Sequence, residues 1–132
     1  MTGSIEEDNA QGFRTEHWPT DLKYKSDERA LHITFENGES FALSAEYLRV
    51  ESPSAEVQGH HPSQKQILSG RRMVGIIAIE PVGNYAVKLS FDDLHDTGIY
   101  SWQYLYKLAT EQETIWQTYL DEMEKRGLSR NP

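Results

Sequence analysis

The chain has 132 residues, enough for one domain with a core of its own. Its net charge of −8, with Arg71-Arg72 as the longest basic run, sets it against a phosphate backbone, so nucleic acid is not an expected partner. It has no cysteine, which excludes disulfides, thiolate nucleophiles and cysteine-held metal clusters.

Residues 1–17 are polar, carry Glu6-Glu7-Asp8 and show no periodicity, which predicts a disordered N-terminal arm. Leu22 to Tyr24 predicts a first short strand. Leu31, Ile33 and Phe35 alternate with polar neighbours, Asn37-Gly38 offers the positive φ angles of a tight turn, and Phe41 and Leu43 resume the alternation, so this stretch reads as a hairpin. Ser44 is placed to cap a short helix carrying Tyr47 and Leu48. Residues 51–70 are nearly all polar, with Pro53, Gly59, Pro62 and Gly70, and no element is predicted there. So long a stretch inside a compact domain is a functional loop or a flexible one.

From Met73 to Ile79 both faces are apolar, which predicts a central strand; Pro81-Val82-Gly83-Asn84 predicts the turn after it. Tyr85, Val87, Leu89 and Phe91 then line one face of the partner strand. The period changes afterwards. Ser101 is placed to cap a helix bearing Trp102, Leu105 and Leu108, and Thr110 with Glu113 has capping-box spacing for a second helix. Ile115, Trp116, Tyr119, Leu120 and Met123 form the stripe of that helix, and Gly127 stops it. Strands first and helices last predict an α+β fold: a small antiparallel β-sheet from residues 22–43 and 73–91, a short helix, a long polar loop, and C-terminal helices packed on the sheet. The organisation expected is an arm over 1–17, a domain over 18–109 and an amphipathic helix over 110–127 packed on that domain. No apolar run is long enough to span a membrane and no secretion-signal pattern opens the chain, so cytoplasmic residence with no membrane partner is expected.

Histidines and carboxylates are the only site material. His60 and His61 stand in the polar loop, and His95 stands among Asp92, Asp93 and Asp96, residue types that suit zinc or iron. The His-x-Asp/Glu spacing of an iron oxygenase is absent, because the five histidines are followed two positions on by Pro19, Thr34, Pro62, Ser63 and Thr97. Ser52 and Ser54 flank a proline with no Gly-x-Ser-x-Gly elbow, so they read as turn-fixing side chains rather than nucleophiles.

Three ordered blocks carry a family resemblance over about residues 22–108. They are Leu48-Arg49 with Ser52-Pro53-Ser54-Ala55-Glu56, then Ile79-Glu80-Pro81-Val82-Gly83-Asn84-Tyr85-Ala86-Val87, then Phe91 to Trp102. Together they resemble the gamma-butyrobetaine hydroxylase N-terminal-like domain in its stand-alone bacterial form, a family with no firmly established activity. In the hydroxylases that resemblance implies a structural zinc held by three cysteines and one histidine, at positions that look like Ser52, Ser54, Val57 and His95 here. Hydroxyls and a valine do not replace thiolates, so that site is not expected to survive as such. The family usually has Gly where this chain has Leu94, which puts the turn before His95 in question. Related domains fused to P-loop ATPases of the Mrp type imply an accessory role in iron–sulfur cluster assembly.

The leading expectation is therefore a non-enzymatic interaction domain with a protein partner and no small-molecule substrate. Its expected surface is Arg49, Ser52, Ser54, Glu56, Asp92 and Asp96. The alternative is a metal-binding module holding iron or zinc through His95 with either His60 or His61, and with Asp93 as a further candidate ligand.

Overall fold

The computed structural model describes residues 17–132, so the arm expected over residues 1–17 lies, but for His17, outside the described residues. Six strands and four helices follow in the order β1 (Pro19–Lys25), β2 (Ala30–Phe35), β3 (Ser40–Ser44), α1 (Ala45–Val50), α2 (Ala55–Gln58), β4 (Ile76–Val82), β5 (Ala86–Phe91), β6 (Gly98–Ser101), α3 (Trp102–Thr110) and α4 (Gln112–Lys125). The fold is α+β. The strands form two antiparallel three-stranded sheets, β1-β2-β3 and β4-β5-β6, rather than one.

The alternation on β2 and β3 does what the sequence expects. Leu31, Ile33, Phe35 and Leu43 are buried, and Gly38 takes φ +90° in the Asn37-Gly38 turn. Val87, Leu89 and Phe91 of β5 face them across one core, which Tyr47, Leu48, Leu105 and Leu108 complete. A smaller cluster of Val50, Tyr119 and Met123 lies beside it, and Trp116 packs against both.

Two expectations about the strands change. The strand read as central is an edge strand, and β5 is the middle one. The apolar run misled because a bulge interrupts the register between Ile76 and Ala78. Ile76 and Ile79, three residues apart, oppose the inward-facing Phe91 and Leu89, and Ile77 is thrown outward, 66% exposed. Strand β6 had no sequence signal. Its four residues begin with glycine and alternate too briefly to register.

The helix ends follow local chemistry. Ser44 and Ser101 each accept a hydrogen bond at 3.0 Å from the backbone N–H three residues on, as N-caps do. The capping box expected from Thr110 and Glu113 is absent: Glu111 is the N-cap of α4, and the Thr110 hydroxyl donates back to the Tyr106 carbonyl at 2.9 Å. At the other end of α4, Gly127 sits at φ +65°; its N–H reaches Glu124 O and the Leu128 N–H reaches Met123 O. That is the paired-bond helix stop glycine makes possible. The tail then runs back along residues 70–72, through Gly70 N–H to Ser129 O and Arg72 N–H to Arg130 O. Arg130 clasps buried Glu46 with two bonds at 2.8 and 2.7 Å. Among the described residues no helix is long and apolar enough to cross a membrane.

Candidate functional site

The polar loop is more ordered than its composition suggests. Ser54 N-caps the single turn α2, and a 3₁₀ turn spans Pro62–Gln64. The carbonyls at the end of α1 are covered by side chains from the other end of the chain. Tyr100 donates its hydroxyl proton to Leu48 O and Tyr104 donates to Glu51 O, both at 2.5 Å. Helix-end carbonyls left buried without donors would be costly, so these two tyrosines fix where the loop begins. Burial holds both phenols far above the ordinary tyrosine value.

From there the loop meets the turn after β5. Ser52 Oγ lies 3.0 Å and Ser54 Oγ 3.3 Å from His95 Nε2, and the two hydroxyl oxygens are 3.1 Å apart. All three residues are buried. Gly98 makes the approach possible, because a Cβ there would sit 2.6 Å from Ser52 Oγ. The Gln58 side chain closes the turn from within by donating to Ser52 O at 2.8 Å. On the outer side of the ring, His95 Nδ1 is 3.9 Å from Glu56 Oε2, and Thr97 donates to Glu56 Oε1 at 2.6 Å.

A charged layer lies next to this triangle. Arg49, 7% exposed, donates from Nε to Asp93 Oδ2 at 2.7 Å. Arg71 Nε stands 2.9 Å from the same oxygen, a close ion pair without hydrogen-bond alignment. Asp93 Oδ1 accepts from the His95 backbone N–H at 3.2 Å, which holds the turn. Burial pulls the Asp93 carboxyl upward, but its bonds to Arg49 and the His95 N–H, with both guanidinium charges, outweigh that and leave it below the ordinary aspartate value. His95 is pushed below its ordinary value by burial and then by the Arg49 charge, against the pull of Glu56, Asp93 and Asp96.

The His95 shift has a measurable consequence. A histidine with a depressed native pKa leaves stability unchanged above the unfolded value of about 6.5 and lowers it as pH falls below, where only the unfolded chain takes the proton. Glu51, raised by burial against its bond to Lys65, acts in the opposite sense above about pH 4.5. Urea unfolding from pH 7.5 to 5.5 is expected to show a fall in stability that the His95→Phe variant lacks. An equal pH slope in both proteins would assign the fall elsewhere.

The expected surface therefore divides. Arg49, Ser52 and Ser54 are interior, a correction to their expected surface position: Arg49 is drawn in by Asp93 and the two serines by His95. Glu56, Asp92 and Asp96 are exposed. Of the proposed metal ligands, His95 is buried, His60 and His61 are exposed in the loop, and Asp93 is engaged by arginines. Among the described residues no three His, Asp or Glu groups come close enough to share an ion. Ser52, His95 and Glu56 share the order of parts of a serine-hydrolase triad, but Ser52 is 0% exposed. None of Ser52, Ser54 and His95 lines the groove of about 710 Å³ between the loop and helices α3 and α4. Both hydroxyls spend their contacts on His95 and on each other.

Leu94 resolves the question its position raises. It takes the left-handed conformation, φ +74°, while its side chain is 86% exposed. A left-handed non-glycine residue costs roughly 1–2 kcal/mol, and glycine's extra freedom in the unfolded chain takes back about 0.5–1 kcal/mol. Leu94→Gly should therefore raise stability by about 0.5–1 kcal/mol in urea unfolding. A loss would mean that Leu94 packs on something.

The family model described as gamma-butyrobetaine hydroxylase-like, N-terminal, matches residues 22–106. The chain belongs to this family. Among solved structures similar to this gamma-butyrobetaine hydroxylase-like domain, two are NMR solution structures. One is 44% identical with TM-score 0.76, covering 88% of this chain and 91% of its own. The other is 51% identical with TM-score 0.76, covering 88% and 86%. A crystal structure from Acidithiobacillus ferrooxidans, of a protein with unknown function in the DUF971 family, is 36% identical with TM-score 0.58, covering 68% and 90%. Among curated proteins none matches. The zinc that the hydroxylases imply for the family does not fit the residues present. At the four corresponding positions this member offers two hydroxyls, a valine and one imidazole, and the hydroxyls already bond the imidazole.

The ion pairs of Arg49 and Arg71 with Asp93, the Thr97–Glu56 bond and the close approach at Gly98 had no local sequence signal. Only knowing that residues 49–58 meet residues 91–98 reveals them.

Proposed function

We propose that this gamma-butyrobetaine hydroxylase-like domain is a non-catalytic protein-interaction module acting in the cytoplasm. Its contact face is the ridge where the loop at Glu56 meets the turn from Asp92 to Asp96. The observation that supports this is Leu94, a large apolar side chain held out in water on a strained backbone, among the exposed carboxylates of Asp92, Asp96 and Glu56. Backbone strain of this kind clusters at active sites, ligand clamps and switch regions. The turn beneath it is anchored by Asp93 and His95, so the presentation is rigid. The partner that fits is a protein with an apolar socket and a basic rim, and the net charge of −8 favours encounter with such a surface. The partner class suggested by the family resemblance is a component of iron–sulfur cluster assembly.

Capture from native lysate tests the reading with two variants that leave the interior alone, Leu94→Gly and the pair Asp92→Lys/Asp96→Lys. A partner held by the wild type should be lost from both, while their thermal stability stays at or above its level. Equal capture by all three proteins would remove the ridge from the account.

A further inference from the structure

The two buried hydroxyls and the imidazole stand in a triangle with sides of 3.0, 3.1 and 3.3 Å. A tetrahedral metal with bonds of about 2.0–2.3 Å holds its ligand atoms roughly 3.3–3.8 Å apart. The triangle is thus one face of a coordination tetrahedron, closed by several tenths of an ångström to hydrogen-bond length. Val57 lies one helical turn beyond Ser54, on the same face of α2. It is 2% exposed yet belongs to neither apolar cluster. The loop and the turn joined here have other links, Thr97–Glu56 and Arg49–Asp93, but both lie nearer the surface.

We infer that the Ser52–Ser54–His95 triangle is a metal-free clasp, doing with hydrogen bonds the cross-linking that an ion would do with thiolates on the same scaffold. The domain therefore folds, and keeps its two loops joined, with no metal bound. The geometry of the scaffold remains that of a metal site and lacks only the donor atoms.

The test uses the full chain in two arms. Wild-type protein should carry no stoichiometric zinc or iron after purification, and neither a chelator nor added zinc should move its Tm. The variant Ser52→Cys/Ser54→Cys/Val57→Cys should bind one cobalt ion per chain with the intense visible spectrum of a tetrahedral thiolate site. Zinc should raise its Tm and a chelator should reverse the gain. Should the triple variant fail to fold, Ser52→Cys/Ser54→Cys carries the second arm, with two thiolates and His95 giving the same spectrum and a water completing the tetrahedron. A wild-type Tm that drops on chelation would overturn the inference, since a metal would then be holding the clasp. A folded thiol variant that binds no cobalt would also overturn it, since the four positions would not converge as described.

Discussion

Replacing Asp93 by alanine should destabilise the domain by about 3 kcal/mol. Among the described residues its carboxylate is the only anion bonded to Arg49, a guanidinium 7% exposed whose Nη1 is buried without a hydrogen-bond partner. Asp93 itself is exposed, but removing it strands the buried Arg49 charge, and breaking a fully buried pair typically costs roughly 3–5 kcal/mol. Asp93's side chain is 24% exposed, so water can enter behind it, which argues for the lower end. The turn also loses its bond from the His95 N–H. Asp93→Asn keeps an acceptor for that N–H and removes the charge, so its loss should fall between wild type and alanine. Urea unfolding checks both. A change below about 1 kcal/mol for alanine would mean that Arg49 swings out to water and the charged layer contributes little.

Trp116→Ala should cost about as much, for a different reason. The ring joins the two apolar clusters, meeting Tyr47 edge-on at 6.0 Å and Tyr119 at 5.1 Å between centroids. Arg130 lies over it at 5.2 Å while clasping Glu46, so the indole also holds down the tail. Truncating a buried tryptophan to alanine typically costs roughly 3–5 kcal/mol, and the partial exposure of this ring again favours the lower end. Chemical denaturation should show the loss, with amide exchange rising at Ser129 to Asn131. A loss below about 1 kcal/mol would mean that α4 is not docked on the core.

The parts of the fold legible in sequence were those governed by local periodicity. The β2–β3 hairpin, strand β5, the caps at Ser44 and Ser101 and the stop at Gly127 follow from patterns within a few residues. The misreadings have long-range causes. The bulge at Ile77 shifts β4 from one register to another, and no local pattern distinguishes that from a strand buried on both faces. At Thr110, the hydroxyl serves the carbonyl behind it instead of the helix ahead. The site behaves the same way. Its acidic and histidine residues were visible, but burial of Arg49, Ser52 and Ser54 depends on a contact across more than forty positions. The family resemblance joined Ser52, Ser54 and His95 before geometry did. The left-handed turn at Leu94 is adopted despite the side chain, because bonds on both sides impose it: Leu94 N–H to Phe91 O, Phe91 N–H to His95 O and His95 N–H to Asp93.

Ser52 and His95 hold the loop and the turn together. A double-mutant cycle with Ser52→Ala and His95→Phe measures that link directly, by urea unfolding at pH 7.5. A coupling of about 1 kcal/mol is predicted, within the range of roughly 0.5–3 kcal/mol for residues in one hydrogen-bonded network. Losses that simply add to within about 0.3–0.5 kcal/mol would contradict it, since the two side chains would then act independently.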